Sequence, residues 1–338
     1  MTLLTNPKLS ICIPTYNRAD YLDYSLGVHL PKLKEHNIQI FIYDNASNDT
    51  TFDVVSKWKK EYPLINYHRN NINLGADLNI ELALKAPTTD YIWLMGDTYL
   101  IPDNGLSHIL DLAQQQIAYD AIVVNLFNKL AFPTGNYSDH DQLLGDLGAL
   151  MSCLSCLIFH KDLISNADFP RYRNTNFIQT GIIFEYLSRK EFTVHWAREI
   201  SIASLNNPNL KKSSWASSKK IFDIGITSWT NFIFSLPAKY SLEKKLATCV
   251  GFGQVSQAFT IKGMLILRAQ GTLDYEIYCK FKDIFKLSLP YPTLLVLALT
   301  IIPKGLLKLA ISAKKKFKIQ HETESHHEKK HEAKLGNA

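Results

Sequence analysis

Asp97 is the residue in this chain best placed to do chemistry. It follows Gly96 at the end of an apolar run, Tyr91-Ile-Trp-Leu-Met95. That composition reads as a fully buried strand. In an open α/β sheet, ligands bind just beyond the carboxyl ends of the strands. A carboxylate there, beside a glycine that lets a ligand approach the backbone, can meet a nucleotide, a metal or both. A lone Asp that merely caps a buried strand is the commoner arrangement, so the weight falls on what precedes it. Three more polar segments each follow an apolar run: Pro14-Thr-Tyr-Asn-Arg18 after Leu9–Ile13, Asp44-Asn45 after Ile38–Tyr43, and Arg69-Asn-Asn-Ile-Asn-Leu-Gly75 after Ile65–His68. Asp44 could accept from a base N–H, and Arg18 or Arg69 could meet phosphate. Each alone is an ordinary solvated loop residue; four such loops on one rim are not.

Helices must place them there. Ala19-Asp20 opens one whose Leu22, Leu26, Leu30 and Leu33 share a face. Ser47-Asn-Asp-Thr50 is a cap-rich turn leading to a second helix with Val54, Val55 and Trp58 inward, and a third runs through Asn79, Leu82, Ala83 and Ala86. Strand and helix alternate four times, the pattern of an α/β fold with a mostly parallel sheet and right-handed crossovers. Parallel strands bring all four polar segments to the same rim.

The 338 residues, 46% hydrophobic and 20% charged, suit one large domain or a core with an appendage. A net charge of +6, with much of the excess near the C-terminus, is too mild to imply nucleic acid. Five scattered cysteines suit a reducing compartment. Cys153-Leu-Ser-Cys156 has C-x-x-C spacing, but an apolar setting without a second pair reads as the start of a buried strand. Lys8 runs at once into a strand, so no signal peptide is expected.

Four segments together carry a resemblance: Ser10-Ile-Cys-Ile-Pro-Thr-Tyr-Asn-Arg18, Tyr43-Asp-Asn-Ala-Ser-Asn-Asp-Thr50, Asn73-Leu-Gly75 with Asn79, and Asp90-Tyr-Ile-Trp-Leu-Met-Gly-Asp97. In this order and spacing the chain resembles the family 2 glycosyltransferases of GT-A fold, most closely the abequosyltransferase-like branch that builds bacterial surface polysaccharides. The resemblance implies that Pro14, Thr15, Tyr16 and Arg18 cradle a nucleotide, that Asp44 with Asn45 reads the base, and that Arg69, Asn73 and Gly75 lie under the ribose and diphosphate. It implies that Asp97 opens the family's D-x-D signature, where carboxylates hold Mg²⁺ or Mn²⁺ against the diphosphate leaving group.

Two positions depart from the family. Thr98 and Tyr99 follow Asp97, so the last carboxylate of D-x-D is absent, and Asp103 lies six residues on. A single carboxylate, water and diphosphate could hold the metal, or the site could work without one, or activity could be lost. The second departure is on the helix expected over Phe177–Lys190, where Gln179-Thr180 stand in place of an acidic pair and neither can be a general base. Asp139, Asp141, Asp162, Glu185 and His160 are the substitutes; Asp141 and His160 lead, because they flank element ends expected to face the acceptor. Trp196, on an expected edge strand, could stack on a sugar or simply pack in the core.

The expected organisation is a catalytic domain over 1–214 (nucleotide half 1–105, acceptor half 106–214), a helical appendage over 215–288, a basic amphipathic segment over 289–318 and a disordered tail over 319–338. Leu294–Ile302 is apolar but only nine residues long, against the twenty or so needed to span a bilayer. Leu306, Leu307, Ala310 and Ile311 alternate with Lys304, Lys308 and Lys314-Lys-Lys316, which suits a helix lying on an anionic membrane. Lys211 and Lys212 fall in a loop expected to cover the site. The function these features imply is transfer of a sugar from a nucleotide-diphospho-sugar donor to a glycan acceptor, lipid-linked and at the cytoplasmic face of a bacterial inner membrane. The alternatives are a degenerate nucleotide-sugar-binding partner of an active transferase and a nucleotidyltransferase, which would need a glycine- and arginine-rich phosphate loop near the N-terminus that is not evident.

Overall fold

A computed structural model describes residues 4–210 and 218–312. The first part of the chain runs β1 (Leu9–Thr15), α1 (Ala19–Glu35), β2 (Gln39–Asp44), α2 (Thr51–Glu61), β3 (Ile65–Arg69), α3 (Ala76–Lys85), β4 (Tyr91–Leu94) and β5 (Tyr99–Leu100). It continues with α4 (Gly105–Ala113), β6 (Ala121–Leu126), β7 (Gly135–Tyr137), α5 (His140–Leu147), β8 (Leu157–His160), α6 (Lys161–Ser165), α7 (Phe169–Tyr172), α8 (Ile178–Leu187) and β9 (Val194–Ser204). The C-terminal helices are α9 (Lys220–Phe222), α10 (Trp229–Ser235), α11 (Leu242–Ser256), α12 (Ile261–Gln270), α13 (Tyr275–Ser288) and α14 (Thr293–Ile301).

The strands form a mixed sheet in the order β3-β2-β1-β4-β8-β6-β9-β5, with β7 pairing β9 off that path. The first four are parallel, as the alternation of strand and helix required. β1 and β4 read as continuous apolar runs because both of their faces are covered; Leu9, Ile11, Cys12, Ile92, Trp93 and Leu94 are all buried, whereas β2 alternates buried and half-buried residues and β3 is the more exposed edge. The β1–β4 ladder closes with Met95 N–H donating to Cys12 O at 2.8 Å. The next rung would need an N–H from Pro14, which has none. There β4 peels away and Gly96-Asp97 turns out onto the rim.

Beyond β4 the sheet changes hand. β8 runs antiparallel to both β4 and β6. Cys153-Leu-Ser-Cys156 does lead into it: a 3-10 turn, Leu154–Cys156, precedes β8, with Cys156 fully buried. β9 is parallel to β6 and flanked on its other side by β5 and β7, so it is an interior strand, not the expected edge. Trp196 is fully buried and its indole N–H donates to Phe132 O at 3.0 Å; it packs the core and is out of reach of a sugar.

The C-terminal helices share one apolar core with the sheet domain. Phe177 meets Trp229 edge-on at 4.8 Å, and Tyr240 O–H donates to Phe184 O at 2.7 Å. At the far end, α14 is followed by a helix over Lys304–Ser312 bent 89° from it. Among the described residues no single helix is long and apolar enough to cross a membrane, although this bent pair passes by length and composition. Leu294, Ile301, Leu306 and Leu309 on the pair are exposed. The expected lysine loop at 211–214, the end of the 289–318 segment and the 319–338 tail lie outside the described residues.

Candidate active site

The carboxyl ends of β1, β2, β3 and β4 put Thr15, Asp44, Arg69 and Asp97 on one rim, because parallel pairing aligns Thr15 with Asp44 and Asp44 with Arg69. Asp97 is 4% exposed. Thr15 Oγ1 donates to its Oδ2 at 3.1 Å, and Arg18 Nη1 donates to Oδ1 at 3.1 Å. A buried carboxylate is tolerated only when its oxygens are bonded and its charge is met; here one hydroxyl and one guanidinium do both. Behind the turn, Gly96 N–H donates to Ser155 Oγ at 2.9 Å. Sequence reading did not single out Ser155, which reaches the rim through long-range packing that no local pattern reports.

Asp44 is buried as well. Its Oδ1 accepts from Ser47 N–H at 2.8 Å, and its Oδ2 accepts from Tyr67 O–H at 2.7 Å with Arg69 Nε 3.5 Å away. Burial, and then the bond to Asp44, push the Tyr67 phenol well above its ordinary range, so it stays a donor. Tyr67 sits two residues before Arg69 on β3 and therefore on the same face; that spacing was the available signal for it. Arg69 Nη2 also donates to Ser47 O at 2.6 Å. Beside this group, the rings of exposed Phe52 and half-buried Tyr67 lie 6.0 Å apart.

Asn45 holds the third loop. Its Nδ2 donates to Asn73 Oδ1 at 2.8 Å and to Gly75 O at 3.1 Å, and its Oδ1 accepts from Leu74 N–H at 2.8 Å and Asn70 Nδ2 at 3.1 Å. Asn79 extends the network, accepting from Asn70 and donating to Tyr43 O. Gly75 has φ +83° with no neighbour near a Cβ, so glycine is required there by backbone conformation. Asn73 and Gly75 are exposed on the rim, as is Tyr16; Pro14 is half-buried at the strand end. The first and second loops are joined by Asn17 N–H donating to Ser47 Oγ at 2.8 Å and by Ala19 N–H donating to Asp49 Oδ2 at 3.0 Å. Burial acts to raise the Asp49 carboxyl, and bonds from Thr51 and Ala19 more than reverse this, leaving it below its usual value. Asn17, Arg18, Tyr21, Asn48 and Thr50 line a cavity of about 520 Å³ between these loops.

Asp141 and His160 are not brought to this rim. Because β8 is antiparallel, His160 ends it opposite Tyr91, at the start of β4 and the far edge of the sheet from Asp97. Asp141 lies just beyond β7, whose Tyr137 pairs with Val194 at the start of β9, on the same far edge. Its Oδ1 accepts from Ser241 N–H at 2.8 Å and ties α5 to the start of α11. Burial acts to raise the Asp141 carboxyl, and the Ser241 bonds more than reverse it. Both expectations assumed a sheet that stays parallel. Of the remaining substitutes, Asp139 caps α5, Glu185 accepts from Tyr172 and Arg189, and Asp162 is exposed in the first turn of α6 beside His160 at the far edge. A larger cavity, about 900 Å³, opens at this far edge beside His160, lined also by Asp120, Asp162, Arg189, Lys190, Glu191 and Lys239; Lys190 pairs with Asp120 at 2.7 Å. Gln179 and Thr180 are buried at the start of α8; Thr180 Oγ1 donates to Met151 O at 2.8 Å and Gln179 Nε2 to Ser152 O at 3.3 Å.

The chain alone offers one carboxylate at this turn; Mg²⁺ is commonly held by one or two carboxylates with substrate phosphates and water, so a metal here would take most of its ligands from the diphosphate. Asp97 is alone, with each oxygen already bonded. Thr98 is neutral, and Tyr99 is a phenol that the neighbouring Cys153 and burial push above its ordinary value. Asp103 is exposed and paired with Lys32. Among the described residues no three His, Cys, Asp or Glu side chains come together.

A parallel nucleotide rim continued by an antiparallel half is the GT-A fold of nucleotide-diphospho-sugar transferases. The solved mannosyltransferase of Pyrobaculum calidifontis, in complex with GDP-Man and Mn²⁺, superposes with a TM-score of 0.54 over 83% of this chain and 85% of that one, at 12% identity. The family model for Glycosyl transferase family 2 matches residues 10–162. Abequosyltransferase RfbV of Salmonella typhimurium is 36% identical over 102 residues, 29% of this chain and 30% of that protein. A GalNAc(5)-diNAcBac-PP-undecaprenol beta-1,3-glucosyltransferase of Campylobacter jejuni is 24% identical over 204 residues, 57% of this chain and 64% of that protein. The chain therefore spans less than two thirds of either relative.

Proposed function

We propose that this chain is a glycosyltransferase that moves a sugar from a nucleotide-diphospho-sugar to a hydroxyl of a bacterial surface-glycan intermediate. The observation that carries the reading is the buried Asp97, held by Thr15 and Arg18 on the rim that Asp44 and Arg69 share. In it the sugar C1–O bond to the β-phosphate breaks and its electron pair leaves with the nucleoside diphosphate. The acceptor oxygen bonds C1, and its proton passes to solvent. Thr15, Tyr16 and Arg18 flank the nucleotide, Asp44 with Tyr67 and Arg69 faces the base, and the Asn45 network shapes the loop under the ribose. Preorganised donors that meet charge as it develops supply much of such a rate enhancement.

The acceptor in this reading is lipid-linked and the chain sits peripherally on the inner face of the cell membrane. Support comes from the undecaprenol in the Campylobacter relative's name and from the exposed leucines beside Lys304 and Lys308. A second reading, a nucleotide-sugar-binding partner without turnover, is favoured by one observation: Gln179 Nε2 and Thr180 Oγ1 donate to the backbone of residues 152 and 151 where the family's acidic pair would stand.

The test is thermal-shift binding of UDP, GDP, CDP and dTDP to wild type and Asp97→Ala, followed by donor turnover with the nucleotide that binds. A ligand that binds only the folded chain raises its apparent stability by mass action. One nucleotide stabilising wild type, with a reduced shift in the variant and measurable turnover, is expected. Binding without turnover or hydrolysis supports the partner reading, and no shift with any nucleotide overturns both.

A further inference from the structure

The geometry points to Cys153 and Cys156 as a redox-sensitive pair: a disulfide between them, formed by exchange with a low-molecular-weight disulfide, displaces the floor under the Asp97 turn and weakens donor binding. The effect on the donor rests on the transferase reading and names a regulation of that site. The two cysteines stand at the ends of a tight turn, since Cys156 N–H donates to Cys153 O at 3.0 Å. The Cα atoms at the ends of such a turn lie within about 7 Å of each other, overlapping the range a disulfide spans. Their thiols already meet, Cys153 bonded to Cys156. Cys153 is half-buried and Cys156 fully buried, so the first is the thiol a small reagent reaches.

The Asp97 turn rests on the two residues between them. Ser155 Oγ accepts from Gly96 N–H and Ser155 O from Trp93 Nε1–H, both at 2.9 Å. A Cβ on Gly96 would meet Tyr99 Cδ2 at 3.2 Å, Ser155 Oγ at 3.5 Å and Leu154 Cδ1 at 3.6 Å, so the turn has little slack. A disulfide takes the Cys153 sulfur from Tyr99 and draws it onto Cys156. Leu154 and Ser155 move with it, and the Gly96 bond is lost.

The surroundings favour the thiolate of Cys153. Bonds from Cys156 and then the Tyr99 hydroxyl hold it below the ordinary thiol range, against burial that acts to raise it. Burial pushes the Cys156 thiol up, so that partner keeps its proton. Burial lowers the Lys129 ammonium, and Cys153 and Cys156 lie near enough to oppose that. A thiolate beside a cation and hydrogen-bond donors is the reactive form. It attacks one sulfur of the small disulfide and releases a thiol. Cys156 then gives up its proton, attacks the Cys153 sulfur of the mixed disulfide and releases the second thiol. Two protein thiols are oxidised and one small disulfide is reduced, with two electrons and both protons passing to the released thiols. A reducing compartment holds the pair as thiols until its glutathione poise shifts.

The experiment equilibrates the full chain, carrying Cys279→Ser to remove an exposed thiol, in graded mixtures of reduced and oxidised glutathione. Peptide mass after thiol alkylation reports a Cys153–Cys156 disulfide, and titration with UDP, GDP, CDP and dTDP reports binding at each step. The expected result is that disulfide, a diphosphate Kd at least about fivefold weaker than in the reduced chain, and recovery in dithiothreitol. Cys156→Ser should stop at a glutathione adduct on Cys153, and Cys153→Ser should bind nucleotide equally in both buffers. Thermal melts of the unliganded variants report whether the fold is kept. Absence of the disulfide in oxidised glutathione, or an oxidised chain whose Kd stays within about twofold of the reduced one, overturns the inference and leaves the transferase reading standing. Failure of every nucleotide with the reduced chain overturns that reading and this inference with it.

Discussion

The two edges of the sheet use carboxylates in opposite ways. At the edge reached by the C-terminal ends of β1 to β4, Asp44 and Asp97 are buried and bonded by a tyrosine, a threonine, a backbone amide and arginines that converge from separate loops. At the far edge the carboxylates close crossovers. Asp90 pairs with Lys8 at 2.8 Å and Lys161 at 2.7 Å, Asp120 with Lys190 at 2.7 Å, and Asp141 accepts from Ser241 N–H, which ties α5 to α11. A partly exposed carboxylate–lysine pair contributes little and asks little of its surroundings. A buried carboxylate demands a full shell of partners, and the shell at the first edge is made of groups from three segments, the end of β1 with its loop, the loop after β2 and the end of β3. The difference teaches that a residue's burial and the origin of its partners, more than its type, separate a site from a seam. The larger cavity lies at the seam.

The comparison breaks most directly at Asp97. Asp97→Asn keeps the shape of the carboxylate and removes the charge that Arg18 is built around; turnover should fall by about a thousandfold. Initial rates on the donor found by thermal shift measure this, and a rate within threefold of wild type would remove the first edge from the chemistry.

The next largest effect sharpens the comparison through acid stability. His29 on α1 is buried, donates from Nδ1 to Ser25 O at 2.8 Å, and accepts at Nε2 from Ile101 N–H at 3.1 Å, which pins the segment leaving Asp97. Burial lowers its pKa from 6.5 to about 4, with the Ser25 bond opposing in part. The folded state therefore holds the neutral ring. Its contribution is complete above pH 6.5 and is lost as pH falls toward 4, about 3 kcal/mol in full. The Asp90 carboxyl, held low by hydrogen bonds from Lys161 and Lys8, keeps its contribution down to the ordinary value of 3.8 and loses it only below that. Urea unfolding across pH 7 to 3 should show the upper window flattened in His29→Gln and the lower one unchanged. An unaltered slope between pH 6.5 and 4 in that variant would exclude His29 as its source.

The smallest effects are expected at the far edge. Asp141→Ala should cost about 1 kcal/mol of stability by removing the acceptor of the Ser241 N–H that ties α5 to the start of α11, and His160→Ala less. Both should leave turnover within about twofold. A loss of more than tenfold in either folded variant would put chemistry at the seam and erase the distinction between the edges.

The nucleotide edge was legible in the sequence because it is local. Buried parallel strands are apolar runs, the turn after each is polar, and Pro14, Gly75 and the Asp97 turn are each imposed by backbone chemistry that residue type reports. The far half was not. Asp141 and His160 sit at element ends whose direction depends on β8 running against β4 and β6, and strand direction leaves no trace in composition. Trp196 reads equally as a platform or a core residue until its neighbours are known.

Sequence by itself determined which residues could meet a nucleotide and, through Thr98, Tyr99, Gln179 and Thr180, where the family's acidic groups are missing. Tertiary structure decided the rest: that Tyr67 and Ser47 spend the oxygens of Asp44, that Ser155 backs Gly96, and that Arg18 and Asp97 meet at 3.1 Å across 79 residues of chain. Those contacts are set by strand register and sheet closure, which add up over the whole fold. No window of sequence short enough to read carries them.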